Sequence, residues 1–246
     1  MNFHDHENEL NNVGSKIKLV SNDLHLAFLS SLSDLDGYLD YKTLIEWALN
    51  GLKISQGSEN NLKIGKKFFE ISSILHEKIP LSTFNLWMEK VVNISTKSTV
   101  LGYSFILSSS PILNVLMPRY IEEWGEISKN IYTGTRETNS LASKFMEFSP
   151  VLLKTISFDD LKNLAQYLKN IADKSCDLAI QNLEWCKVYF PVFDKDCSDF
   201  IVLLNFLSIS NWREISPFID LLNTNINKNN VDNINQLIQL LLHFDY

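Results

Sequence analysis

The sequence predicts an all-α protein, an α-solenoid of helix hairpins. Two recurrences carry that prediction: an apolar stripe with helical period found at four places, and a serine-containing step found between them. With Leu81 as origin, apolar residues fall three, six, seven, ten and thirteen positions on, at Phe84, Trp87, Met88, Val91 and Ile94. These lie on one face of a helix with 3.6 residues per turn. From Phe158 the same offsets give Leu161, Leu164, Ala165, Leu168 and Ile171. From Tyr41 they give Leu44, Trp47, Ala48, Gly51 and Ile54, and from Pro118 they give Ile121, Trp124, Gly125, Ser128 and Ile131. The four origins stand 40, 37 and 40 residues apart, a unit of roughly 39 residues. A fifth, weaker copy starts at Cys197 and runs through Phe200, Leu203, Leu204 and Leu207.

The second recurrence is an aromatic or aliphatic pair followed by serines and further apolar residues. It reads Phe68-Phe69-Glu70-Ile71-Ser72-Ser73-Ile74-Leu75, then Ile106 to Leu113 with Ser110-Pro111, then Phe145 to Leu152 with Ser149-Pro150, with a late echo from Trp212 to Ile219. Serine caps a helix N-terminus, and proline fits a first helical position but cannot continue a preceding helix. Each Ser-Pro is therefore expected to end a long helix and start a short one. Ser157 followed three residues later by Asp160 has the form of a capping box and places a helix start before Phe158. The unit so assembled is a helix hairpin, HEAT/TPR-like in architecture, longer than the 34-residue tetratricopeptide unit. One such hairpin cannot bury its apolar face alone, so neighbours are expected to stack.

Organisation follows from these elements. Residues 1–20, polar and acidic at their start, read as a flexible N-terminal segment, and residues 21–246 as a single helical repeat domain. The asparagine-rich stretch from Asn223 to Asn230 reads as a loop, because short polar side chains compete for backbone hydrogen bonds. Ile234, Leu237, Ile238, Leu241 and Leu242 share one face of an expected C-terminal capping helix.

The chain has 246 residues, 45% hydrophobic and 21% charged, which is the composition of a folded globular protein. A formal charge of −7 gives no basic surplus for phosphate neutralisation, and the largest lysine group is Lys63, Lys66 and Lys67. Nucleic acid is not an expected partner. No run approaches the roughly 18 apolar residues of a membrane span, and the start lacks the cationic and apolar regions of a signal peptide, so the expected location is cytoplasmic. Cys176, Cys186 and Cys197, spaced by ten and eleven, fit neither a disulfide framework nor a zinc site and read as reduced packing residues.

The recurring Phe-Phe-x-x-Ser-Pro-x-Leu step followed by Leu-x-x-Trp, over residues 41–193, resembles the helical repeat region preceding the von Willebrand A domain in bacterial proteins of the NorD and CbbO type. The resemblance implies work alongside MoxR-type AAA+ ATPases in activating or maturing metalloenzymes. This sequence departs from the family in having no Asp-x-Ser-x-Ser motif and no alternation of strands and helices, hence no A domain of its own. The family's metal-binding residues lie in that domain, so none transfers to this chain.

Chemistry-bearing constellations are sparse. Gly-x-Ser-x-Gly, the P-loop, Gly-x-Gly-x-x-Gly and His-Glu-x-x-His do not occur. His4 and His6 with Asp5 and Glu7 have metal-ligand chemistry but lie in a polar terminal segment. Asp159-Asp160 resembles a prenyl-enzyme carboxylate pair, yet capping accounts for it. His25 and His76 sit near helix ends without a nucleophile at a suggestive spacing. Trp47, Trp87 and Trp124 occupy one unit position and suit an inter-helix core better than a peptide groove. No catalytic, cofactor-binding or metal residue is assigned, and no cofactor is expected. The functional expectation is a non-enzymatic scaffold or adaptor whose partner is a protein, with an AAA+ ATPase or von Willebrand A-domain protein implied by the resemblance. Two alternatives stay open: an all-helical enzyme or small-molecule-binding protein with a pocket between helices, and a structural component of a larger particle.

Overall fold

The computed structural model describes residues 3–190 and a few single positions beyond them. Among these residues the chain is all-helical, with ten α-helices and no strand: α1 (Phe3–Val20), α2 (Asn22–Leu35), α3 (Tyr41–Ser55), α4 (Glu59–Leu75), α5 (Leu81–Lys97), α6 (Thr99–Ile112), α7 (Ile121–Ile131), α8 (Arg136–Leu152), α9 (Phe158–Ala172) and α10 (Cys176–Tyr189). A 3-10 turn, Pro118–Tyr120, leads into α7. The helix starts have local causes. Ser21, Asp40, Ser58, Ser98, Thr135, Ser157 and Ser175 each accept a hydrogen bond from the backbone N–H three residues on, satisfying a donor that the first turn leaves open. At Ser157 the box is complete, since Asp160 also receives the Ser157 N–H.

The chain divides into two compact units, Met1–Lys129 and Asn130–Tyr246, where the sequence reading has one helical domain. In the first unit α1 packs on α2, α3 on α4 and α5 on α6, and each pair touches the next in two rows, α1–α3–α5 and α2–α4–α6. In the second, α8, α9 and α10 pack on one another. The core of the first unit is aromatic: Phe28, Trp47, Phe68, Phe69, Phe84, Trp87, Phe105 and Trp124 are each almost wholly buried. Phe68 and Trp87 stack with centroids 5.4 Å apart, and Trp47 meets Phe69 edge-on at 4.9 Å. The tryptophans are thus packing residues rather than the lining of a groove.

Buried serines join these rings to the backbone. Ser72, Ser109 and Ser149 return their hydroxyl protons to the carbonyls of Phe68, Phe105 and Phe145, four residues back. Ser72 Oγ also accepts the indole N–H of Trp47 at 3.0 Å, and Ser109 Oγ accepts that of Trp87 at 2.9 Å. These bonds correct the register of the second recurrence: Phe105, not Ile106, stands where Phe68 and Phe145 stand. At a spacing of 40 residues the buried positions of α6 and α8 then coincide, Leu101 with Leu141, Phe105 with Phe145, Ser109 with Ser149 and Ile112 with Leu152.

Several expectations need correction. Pro111 and Pro150 do not separate a long helix from a short one; they lie inside the last turns of α6 and α8. So near a C-terminus the proline removes only a late helical hydrogen bond, and the chain leaves α6 through three-residue turns, with Asn114 N bonded to Pro111 O and Val115 N to Ile112 O. Residues 3–20 form α1 instead of a flexible segment. Leu10, Val13 and Ile17, on one helical face, are buried in a segment that packs on α2 and α3. Within the asparagine-rich stretch, Thr224 and Asn225 are helical, their side chains bonded back to Asp220 O and Leu221 O. The rest of that stretch, the copy starting at Cys197 and the expected C-terminal capping helix lie outside the described residues.

Candidate functional site

The outer side of the α2–α4–α6 row carries relief on both flanks of α4. The sequence of α4 sets its polarity. Phe68, Phe69, Ser72 and Leu75 face the core, which leaves Lys63, Lys66, Lys67, Glu70 and Ile74 toward solvent at helical spacing. Next to it, α6 carries no charged residue over its whole length. Its outward positions Val100, Tyr103 and Leu107 follow an i, i+3, i+7 pattern, with Val100 53% and Leu107 39% exposed.

Two grooves flank α4. Between α4 and α6, Asn60, Lys63, Ile64, Thr99, Val100 and Tyr103 enclose about 260 Å³. Between α2 and α4 an open depression of about 400 Å³ is lined by Asp23, Leu26, Ser30, Lys66, Glu70 and Ile74 among others. The lysines differ in their commitments. Lys63 pairs with Glu59 at 3.0 Å, where both side chains are well exposed and the pair is weak. Lys67 is bound to Glu70 at 2.5 Å, and that hydrogen bond, with smaller contributions from the Glu70 and Tyr103 charges, raises its pKa against the opposing effect of burial. Lys66 has no carboxylate partner among the described residues. These lysines are the largest basic group that the sequence shows. The juxtaposition of Lys63 with an uncharged helix is visible only in the fold.

The residues weighed for chemistry fall elsewhere and apart. His6 lies on α1 with its Nδ1 buried and without a partner. His25 stacks on Phe28 at 6.2 Å; His76 caps α4, bonded to the Ser73 carbonyl and edge-on to Tyr38. Asp160 serves the capping box, and Asp159 pairs with Lys162 at 2.6 Å. Cys176 and Cys186 are reduced thiols; burial pushes that of Cys176 up, as do the nearby Glu137, Asp177 and Asp173 charges. Cys197 lies outside the described residues. Among the described residues no three His, Cys, Asp or Glu side chains gather as a metal site would require, and no helix is long and apolar enough to cross a membrane.

A charged cluster of another kind links α5 to α7. Glu126 accepts from Lys129 at 2.7 Å and from Lys90 at 2.9 Å, and Lys90 also approaches Glu122 at 3.7 Å. The lysine side chains are only 12% and 11% exposed. The Lys129 hydrogen bond first, then that from Lys90 and the charges of both lysines, hold the Glu126 carboxyl below its ordinary value although burial opposes them. A carboxyl whose folded-state pKa is depressed contributes stability above its unfolded value and loses that contribution as pH falls through the folded one. Between about pH 5 and pH 3 the thermal midpoint of the natural protein is therefore expected to fall more steeply than that of Glu126→Gln, read by circular dichroism. Parallel slopes would remove Glu126 from the acid transition.

Against known proteins, the chain matches no family model, no curated protein and no solved structure.

Proposed function

We propose that this chain is a helix-hairpin repeat protein of the α-solenoid kind, with units of roughly 39 residues, that acts as a scaffold or adaptor for another protein. The observation that carries the reading is the packing of the first unit in two rows, with a groove on each flank of α4 along the α2–α4–α6 row. Repetition is supported by the paired bonds Trp47–Ser72 and Trp87–Ser109 and by the coincident buried positions of α6 and α8. Surfaces of this kind bind by area and by alternating pockets rather than by a deep enclosed site. The buried polar side chains among the described residues are serines, threonines and asparagines, which suit packing and capping.

The resemblance of residues 41–193 to the helical region of NorD- and CbbO-type proteins makes an AAA+ ATPase or a von Willebrand A-domain protein the partner to seek first, in the cytoplasm. The test is affinity capture of the tagged chain from native lysate, with mass spectrometry and a destabilised Trp87→Ala control. A stoichiometric protein retained by the natural chain and lost by the control is the expected result. Recovery of nothing above the control would overturn the adaptor reading and point instead to a small molecule held between helices.

A further inference from the structure

We infer that the depression between α2 and α4 is the docking site for a second copy of this chain, related to the first by a two-fold axis. The inference goes beyond the scaffold reading and stands without it, since the groove between α4 and α6 stays open in such a dimer. The first argument is charge. The depression is lined by Asp23, Lys66 and Glu70. Glu70 is taken by Lys67 at 2.5 Å. Asp23 and Lys66 are exposed, and among the described residues neither has an ion-pair partner, each other included. One uncommitted charge of each sign selects neither an acidic nor a basic partner. A two-fold axis satisfies both, because where residue i of one copy meets residue j of the other, j also meets i. Lys66 of each copy then faces Asp23 of the other, and a single patch makes two ion pairs.

The second argument is the apolar surface beside these charges. Leu26 is 65% exposed, Leu29 45% and Ile74 44%. On α2 the buried Ala27 and Ser31 turn toward α4, where Ser31 donates to the Phe69 carbonyl at 2.7 Å, which leaves Leu26 and Leu29 outward one turn apart. α2 is also the first helix of its row, packed on α1, α3 and α4. A stack of hairpins ordinarily ends on a polar outer face, whereas this one begins with exposed leucines that α2 of a second copy covers. Few apolar side chains take part, and each copy carries −7, so the dimer is a weak one with a dissociation constant on the order of tens of micromolar.

The test is sedimentation velocity of the full chain at physiological salt, from about 1 to 300 µM, where the natural chain is expected to pass from monomer to dimer. Lys66→Asp and Asp23→Lys each bring like charges together twice in their own dimers, and each is expected to weaken association about tenfold. An equimolar mixture of the two variants is expected to recover it. In the mixed dimer the two introduced charges face each other with opposite sign, and so do the unchanged Asp23 and Lys66. Leu26→Gln is expected to weaken association without a change of charge. A second measurement needs no variant. Natural chains grown with light and with heavy nitrogen are mixed and treated with a carbodiimide, which joins a carboxylate to an amine as an amide with loss of water. An Asp23–Lys66 crosslink between one light and one heavy peptide is the expected product. A chain monomeric throughout overturns the inference and leaves the depression to a different protein. So does a dimer indifferent to both charge reversals, a mixture no more associated than its components, or a crosslink confined to peptides of one label.

Discussion

Replacing Trp87 by alanine is expected to destabilise the first unit by about 3–5 kcal/mol, a loss large enough to threaten folding of a unit of ordinary stability. The side chain is wholly buried, stacked on Phe68 and tilted against Phe84 at 5.6 Å. Its indole N–H ends on Ser109 Oγ, whose own proton is given to the Phe105 carbonyl. Removing the ring leaves a cavity and also an unfilled hydroxyl acceptor. The polar part of this loss can be isolated with phenylalanine. Trp124 is equally buried and stacks on Phe105 at 5.2 Å, but its indole nitrogen has no partner. Trp87→Phe loses volume and a hydrogen bond, whereas Trp124→Phe loses volume and relieves an unsatisfied donor. The first is therefore expected to cost more than the second, by about 1 kcal/mol or somewhat over. Urea unfolding followed by circular dichroism measures both, and equal losses would mean that the Trp87–Ser109 bond adds nothing to stability.

The legible part of the fold was the part written locally. Tyr41, Leu81 and Phe158 begin helices in the sequence reading and in the structure, because a 3.6-residue stripe starts at each and because Asp40 and Ser157 cap two of them. Pro118 opens a 3-10 turn instead, and the stripe beyond it becomes α7. Other features depended on what a residue meets. Leu10, Val13 and Ile17 do have helical spacing, but three apolar residues in a polar segment become a helix only through packing on α2 and α3. The Ser-Pro steps misled because the same residues serve a helix start and a helix end. The buried hydroxyls of Ser109 and Ser149 bond inside the helix, to carbonyls four residues back.

The candidate groove was illegible for a related reason. Lysine, valine and tyrosine are ordinary surface residues, and no local motif joins Lys63 to Val100. What joins them is the packing of α4 on α6, fixed by rings such as Phe68 and Phe105 on the opposite faces of the same helices. A sequence can give the charge of one helix and the blankness of another. Their adjacency is a tertiary fact.

The crossings of α4 on α3 and of α6 on α5 are made close by glycines, and their replacement is expected to have the second large effect. A helix interior ordinarily favours alanine over glycine by about 1 kcal/mol. At Gly65 a Cβ would lie 1.7 Å from Ser55 Oγ and 2.9 Å from Ser55 Cβ, where α4 crosses α3. At Gly102 it would lie 2.1 Å from Ser95 Oγ and 2.8 Å from Ser95 Cα, where α6 crosses α5. Overpacking at such crossings forces the helices apart, so Gly65→Ala and Gly102→Ala are each expected to destabilise by roughly 1–3 kcal/mol despite the better helix former. The two sites should part company when the serine is removed. Ser55→Gly clears both side-chain contacts, and the next nearest atom, Gly51 O, lies 3.2 Å from the new Cβ. Ser95→Gly leaves the backbone Cα in place at 2.8 Å. In double-mutant cycles the Gly65–Ser55 pair is therefore expected to show a rescue of about 1 kcal/mol or more, and the Gly102–Ser95 pair a smaller one. Equal rescue at both crossings would mean that the α5–α6 backbones yield as easily as a serine side chain.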